Sequence, residues 1–278
     1  MLVRPLTTAL GAEILDVDIR DGKDFAAIRE AFTTYSVIVI RNQQITPDEH
    51  LAFARCFGEI NVNRFFKPLD SHPEIATLLK EPDQKAAVGE AWHTDHSYDV
   101  EPAMGSVLHA IEVPACGGDT LFISMAEAYE ALSPTFRSLL DGLSAWHSSR
   151  HAFGANNLQQ EASQTGRLMN PELATQDSMH PVVIKHPFSG RKCLYVNPGF
   201  TTHIDGMKKE ESNALLGFLY THCLTPEFRC RIRWNAGDIT IWDNRATWHK
   251  AVNDYHGHRR YMHRVTVEGC KLEAGTAC

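Results

Sequence analysis

The sequence predicts a mainly β protein with peripheral helices, folded as a barrel or double-sheet jelly roll. Short runs rich in β-branched and aromatic residues are bounded by Gly, Pro, Asn or Asp and read as strands. They outnumber the helical patterns in the C-terminal two-thirds of the chain. They do not alternate one-for-one with helices, which disfavours a doubly wound parallel sheet and leaves a closed or double-sheet β architecture.

In chain order, a helical pattern at 24–34 precedes the strand 36–40 (SVIVI). A second helix at 47–57 begins with Thr46 before Pro47, a capping residue followed by a favourable first helical residue. Strands follow at 104–111 and 118–123, the latter entered through Gly117 and Gly118, whose backbones permit a tight turn. Ser124 with Glu127 forms a capping box for a helix at 124–132. Further strands lie at 182–185, 228–234 and 238–242, with a helix at 208–223. Two polar stretches without periodicity, 80–91 and 154–179, read as loops, the second as either a lid or a surface insertion.

At 278 residues the chain suits a single domain spanning 1–278. Its 43% hydrophobic and 22% charged residues are ordinary globular usage. The net charge of −7 gives no basic face for nucleic acid. No apolar run approaches the roughly 20 residues of a membrane span. Seven scattered cysteines without a CxxC pair argue for reduced thiols, and with no signal-peptide pattern the expectation is a soluble cytoplasmic protein.

The chemistry-bearing residues begin at Trp92-His93-Thr94-Asp95. On a strand, residues two apart project to the same side. His93 and Asp95 would then converge, and a second histidine would complete a 2-His-1-carboxylate triad with open positions for an oxygen-activating iron. Alone, an HxD among 15 histidines is weak. A second stretch, 238–249, runs as a strand into a turn at Asp243 and Asn244 and on to His249. After another turn-rich segment, Arg260, Met262 and Arg264 are spaced by two and share one face of a strand expected to return as a hairpin beside His249. Two inward guanidiniums imply anionic ligands, since buried Arg is rare unless paired; the alternative is a solvated edge strand. Thr120, after the two glycines, offers a hydroxyl to a bound carboxylate or merely follows a turn. The pairs His147/His151 and His256/His258 lack a third ligand, and Trp92 and Trp248 suit packing beside the proposed ligands.

These pieces occur in one order: GAEILDVDIR, QQITPDEHLAFARCFGEI, AWHTDHSY, VPACGGDTLFISMAEAYEALSP, HPVVIKHPFSGRKCLYVNPGF, IWDNRATWHKAVNDY and RRYMHR. In this the chain resembles, over nearly its whole length, the taurine/aryloxyalkanoate family of Fe(II)- and 2-oxoglutarate-dependent dioxygenases. The resemblance implies a double-stranded β-helix (jelly-roll) fold. It implies His93, Asp95 and His249 as iron ligands, and Arg260 and Thr120 as contacts to 2-oxoglutarate. It further implies Arg264 as the anchor of an anionic substrate, and Phe153, Asn197 and Phe200 in the substrate pocket. Fe(II), 2-oxoglutarate and O₂ are the implied cofactor and cosubstrates, a small anionic organic molecule the substrate, and a homo-oligomer (dimer or tetramer) the assembly. Where taurine-using members place His, Tyr and Asn, this chain has Asn63, Phe66 and Gly89. That exchange points to a roomier, more apolar pocket and to an aryloxyalkanoate-like acid, with taurine, alkylsulfonates or alkyl sulfates as the alternative. A zinc hydrolase would account for the triad but not for the pair of arginines, and a non-catalytic ligand-binding barrel would bind its ligand without releasing succinate.

Overall fold

A computed structural model describes residues 1–154 and 165–275. Among these, nine strands form a major sheet. Its order runs from the edge Leu2–Pro5 through Ala12–Leu15, Val37–Ile40, Ile239–Asp243, Gly105–Glu112, Arg260–Val267 and His72–Lys80 to Pro68–Leu69. A short strand, Ile60–Asn61, pairs with the end of Arg260–Val267. Opposite lies Thr120–Ser124, flanked by Arg229–Ile232 and Thr247–Ala251. Two further three-stranded sheets, one centred on Ser144–Ser148 and one on Val183–Lys185, extend this second layer. The double-sheet jelly roll is thus present.

The alternation of side chains explains why the major sheet is apolar on both faces. In Val37–Ile40 all four residues are buried; Val37 and Val39 pack inward with Phe122 and Ile232 of the second layer, while Ile38 and Ile40 pack outward against helices. Burying each such side chain contributes about 1.5–3 kcal/mol. The outer helices are Phe25–Tyr35 and Pro47–Arg55; in the second, the Thr46 and Glu49 side chains cap each other's backbone N–H groups as a capping box. Helix Lys209–Cys223 covers the second layer together with Met125–Glu130. No described helix is long and apolar enough to cross a membrane.

The expected strands at 36–40, 104–111, 118–123, 182–185, 228–234 and 238–242 all occur, within a few residues. Strand His72–Lys80 escapes sequence reading because Pro73 and Glu74 interrupt its pattern. The polar stretch 154–179 is not all loop: Asp177–Pro181 is a strand paired with Ser144–Ser148. Residues 155–164 of the expected lid lie outside the described residues. One expectation is overturned. Arg260–Val267 does not return beside the His249 strand; it pairs with Gly105–Glu112 and His72–Lys80 in the major sheet. Thr247–Ala251 pairs with Thr120–Ser124 in the opposite layer. The jelly roll crosses between layers at this connection, so residues from both strands face each other across the interior instead of lying side by side.

The turn that launches the His249 strand is held by buried charge. Asp243 accepts hydrogen bonds from His186 Nε2 at 3.0 Å and from Arg245 Nε at 2.9 Å and Nη2 at 2.7 Å. All three side chains are buried. Burial opposes ionisation of Asp243, but Arg245 and His186 hold its carboxyl well below the usual range. Asp243→Ala leaves the Arg245 guanidinium buried without its carboxylate, and chemical denaturation should show a loss of about 3–5 kcal/mol.

On the outer face, His50 of helix Pro47–Arg55 lies over His109, which is in register with His263 on the next strand. Burial pushes His50 down to about 3 and His263 down to about 4, with a neighbouring histidine adding to each. Neutral His50 donates from Nε2 to the Val107 carbonyl at 3.1 Å. An unfolded chain takes up these protons near pH 6.5 while the folded one does not. These groups therefore leave stability unchanged above pH 6.5 and remove it as pH falls from about 6.5 towards 4. Between pH 7.5 and 5, urea unfolding should report a loss of about 2 kcal/mol per histidine. His50→Gln should flatten that slope; an unaltered slope would place the titration elsewhere.

Candidate active site

His93 and His249 meet through their backbones. Each N–H donates to the other's carbonyl, at 3.1 and 2.8 Å, as an isolated antiparallel bridge. Their rings stand 4.1 Å apart between centroids. Thr94 projects the other way and its hydroxyl donates to the Thr247 carbonyl, as alternation requires. The extended backbone ends here: Asp95 opens a turn, and His96 takes a positive φ of 59°. The expected side-by-side projection of His93 and Asp95 therefore comes from a single bridge and the turn after it.

The ligating atoms of His93, Asp95 and His249 all lie within 4.8 Å of one another, and no other such trio occurs among the described residues. Asp95 places Oδ1 3.6 Å from His93 Nε2 and Oδ2 3.6 Å from His249 Nε2. His93 Nδ1 donates to the Ala91 carbonyl at 2.8 Å, which fixes the proton on Nδ1 and turns the Nε2 lone pair towards the trio. Asp95 is only 6% exposed, and its Oδ2 has no hydrogen-bond partner. Burial would raise its carboxyl, but Arg264, His249 and His93 hold it well below the usual range. Burial, with His93 close by, keeps the His249 imidazole neutral. An ionised carboxylate and two neutral imidazoles are the forms that bind a metal. A buried carboxylate with one oxygen towards each imidazole, and no hydrogen bond on Oδ2, fits a divalent ion of the iron type.

Two glycines shape the space around His93. A Cβ on Gly199 would sit 2.7 Å from the His93 Cβ, too close for any side chain. Gly89 has a φ of 84°, and a Cβ there would meet the His93 ring at 3.4 Å.

Beside the trio opens a cavity of about 250 Å³, lined by His93, Asp95, Gly89, Phe66, Phe153 and Phe200, among others. The aromatic rings form one cluster: Phe65 stacks on Phe153 at 4.3 Å, and Tyr98 meets Phe200 edge-on at 4.9 Å. Arg264 lies behind this wall, buried, with Nη1 3.5 Å from Asp95 Oδ2 and its guanidinium 4.9 Å over the Phe66 ring. Arg260, four positions earlier on the same inward face, donates from Nε to the Gly118 carbonyl and lies over Trp234. Thr120 accepts a hydrogen bond from Trp234 Nε1 at 3.0 Å, so Thr120 and Arg260 converge on one indole. The glycines before Thr120 do adopt positive φ, 83° and 71°.

Not every expected residue reaches the cavity: Arg264 is not in its lining and stands behind the Phe66 ring. Asn63 spends its side-chain oxygen on the Phe65 and Phe66 N–H groups, and Asn197 spends its own on the Phe200 N–H. Neither lines the cavity; each holds in place the aromatic residues that do. Gly89 lines the cavity as expected, while Pro198, Gly199, Ala152 and the rest of the segment 86–91 form wall that sequence reading did not single out. The NPG turn before Phe200 was the available signal for Gly199.

The sequence profile described as "Taurine catabolism dioxygenase TauD, TfdA family" matches residues 2–266. The chain belongs to the TauD/TfdA family. It is accordingly a 2-oxoglutarate-dependent non-haem iron dioxygenase, and the His–Asp–His set is its iron-binding motif. An alkylsulfatase of Acinetobacter baylyi is 33% identical, covering 96% of this chain and 84% of that protein. A 2,4-dichlorophenoxyacetate dioxygenase of Cupriavidus pinatubonensis is 32% identical, covering 96% and 97%. An alpha-ketoglutarate-dependent sulfonate dioxygenase of Saccharomyces cerevisiae is 32% identical over 96% of this chain and 66% of its own length. Among solved structures, a putative taurine dioxygenase from Burkholderia xenovorans superposes with a TM-score of 0.80 at 34% identity, covering 96% of this chain and 92% of that one. The TauD/TfdA membership and the geometry make one prediction at Gly199. Gly199→Ala should displace the His93 ring and weaken Mn(II) or Fe(II) binding about tenfold or more, with far-UV circular dichroism unchanged. Unaltered metal affinity would mean that the wall yields and the ring does not.

Proposed function

We propose that the enzyme hydroxylates a C–H bond next to a heteroatom of a small organic anion with an apolar body, an aryloxyalkanoate-like carboxylate above all. The observation that carries this reading is the pairing of an aromatic cavity with one buried guanidinium beside the metal ligands. Phe66, Phe153 and Phe200 offer a flat body ring faces and edges. Arg264 offers the head a planar fork of donors suited to a carboxylate. Taurine fits this wall less well, because its ammonium needs an acceptor. Of the two acidic side chains in the lining, Asp95 belongs to the metal site and Glu90 has its Oε1 engaged by the Ala87 N–H and by Asn253 Nδ2. A second reading, an alkyl sulfate or alkylsulfonate, is favoured by the relatives named for those substrates. It too pairs an anionic head with an apolar body.

In this reading His93, Asp95 and His249 hold the iron, while Arg260 and Thr120 orient 2-oxoglutarate. With O₂, the iron and 2-oxoglutarate supply the oxidising power that turns the C–H into C–OH, releasing succinate and CO₂. Arg264 fixes the anionic head, so that the neighbouring C–H faces the metal side of the cavity. The aromatic wall excludes water from the reacting carbon. A hydroxyl installed beside an ether oxygen gives a hemiacetal, which collapses with cleavage of the C–O bond; beside sulfate or sulfonate the same step releases the sulfur group.

Removing the Arg264 fork separates the roles. Arg264→Ala should cut kcat/KM for the anionic substrate by about 10–100-fold, the worth of a charge-assisted contact. Succinate formation without substrate should survive. Equal loss of both would place Arg264 in the metal site instead. A succinate-release screen over aryloxyalkanoates, alkyl sulfates, alkylsulfonates and taurine tests the substrate class. Greatest stimulation is expected from the aryloxyalkanoates. Strongest stimulation by alkyl sulfates would select the second reading, and none by any anion would overturn both.

A further inference from the structure

His147 lies in the middle strand, Ser144–Ser148, of a three-stranded sheet. Register sets it opposite Ser178 on one neighbouring strand and Thr201 on the other. Directly opposed residues project from the same face. The three therefore form a polar row, and all are buried. The row meets the turn that follows Asp95. Ser178 donates its hydroxyl to the Tyr98 carbonyl at 2.8 Å, and the Ser97 hydroxyl stands 3.1 Å from His147 Nδ1. Two positions after Ser178, His180 Nε2 donates to the Asp99 carbonyl at 2.9 Å. The same His147 Nδ1 stands 3.2 Å from the Thr201 hydroxyl. Thr201 accepts from the Asn197 N–H at 2.8 Å, and Ser97 accepts from Asn197 Nδ2 at 3.0 Å. Asn197 opens the turn in which Gly199 lies against the His93 Cβ and the Phe200 ring meets the His93 ring edge-on at 6.2 Å. One imidazole nitrogen thus stands between the turn that carries Asp95 and the turn pressed against His93.

Each of the two hydroxyls accepts from Asn197, which leaves its own proton to donate. His147 Nδ1 is the acceptor that both reach. Burial, with His180 beside it, keeps the imidazole neutral, so a lone pair is there to receive them. Nε2 has no hydrogen-bond partner among the described residues, so the polar contacts of the ring run through Nδ1. We propose that His147 is a positioning residue for the metal site, whose Nδ1 locks Ser97 and Thr201 to Asn197 and so holds Asp95 and His93 at ligating separation. His147 is absent from the cavity lining and acts through these neighbours. The proposal rests on His93, Asp95 and His249 as the metal ligands and is independent of the substrate.

The test is a calorimetric titration of the full chain with Mn(II), alongside urea unfolding of each variant. An Asn side chain places Oδ1 where the imidazole has Nδ1, whereas a Gln amide reaches one bond further, near Nε2. His147→Leu and His147→Gln should weaken Mn(II) binding about 10–100-fold, the usual cost of losing a residue that orients metal ligands. His147→Asn should bring the affinity back to within about threefold of the unaltered protein. A packing role predicts instead that affinity follows the stability lost, with Asn and Gln alike. Unchanged affinity in all three variants, or equal loss in Asn and Gln, overturns the proposal. Should His147→Leu not fold, the Asn and Gln pair decides. Should none of them fold, Ser97→Ala removes a hydroxyl that Nδ1 holds, and unchanged Mn(II) affinity there overturns the proposal. Asp95→Ala keeps the two readings apart. If it abolishes Mn(II) binding while the His147 variants do not weaken it, only the His147 proposal fails. If it too leaves binding intact, the assignment of the metal ligands fails with it.

Discussion

The reciprocal backbone hydrogen bonds between His93 and His249 are the constraint on which the site depends. They tie a segment outside the regular sheets to a strand of the second layer. That one bridge sets both imidazoles side by side, and the turn beginning at Asp95 brings the carboxylate back to them. Much of what surrounds it serves the same end. Asp243, His186 and Arg245 fix the turn into the His249 strand. Gly199 and Gly89 leave the His93 ring its space. A carboxylate, two imidazoles and a guanidinium are kept buried because each offsets another, and a metal ion completes that balance.

Charge is distributed across the interior with a direction. Arg264 sits against Asp95 at the metal end, while Arg260 sits at the far end of the same inward face with Gly118 and Trp234 around it. Burial lowers the basicity of Arg260, so its guanidinium gains when an anion arrives. The interior is therefore electrostatically prepared for anionic ligands before any ligand binds, although the chain as a whole carries a net charge of −7. Global charge says nothing of this local sign.

The amide side chains show how a polar residue near a cavity need not face it. Asn63 and Asn197 satisfy backbone N–H groups of turns, the local use for which Asn is suited. In doing so they aim Phe66 and Phe200 into the cavity. Their effect on substrate choice would run through those rings.

The sequence by itself determined the fold class, through the β-rich runs that reappear as strands, and the identity of the three metal-binding residues, through HxD, the distant histidine and their family order. It also marked Arg260, Met262 and Arg264 as one face, because strand periodicity is a local property. Tertiary structure alone decided which layer that face belongs to. The hairpin expected beside His249 became a crossing between layers, because pairing partners are chosen by packing across the core and not by nearness in the chain. It alone also placed His147 opposite Ser178 and Thr201, since register between strands far apart in sequence leaves no local signal. The same reason hid the bridge between His93 and His249: alternation put His93 and Asp95 on one side, but only a long-range pair of hydrogen bonds brought His249 to meet them.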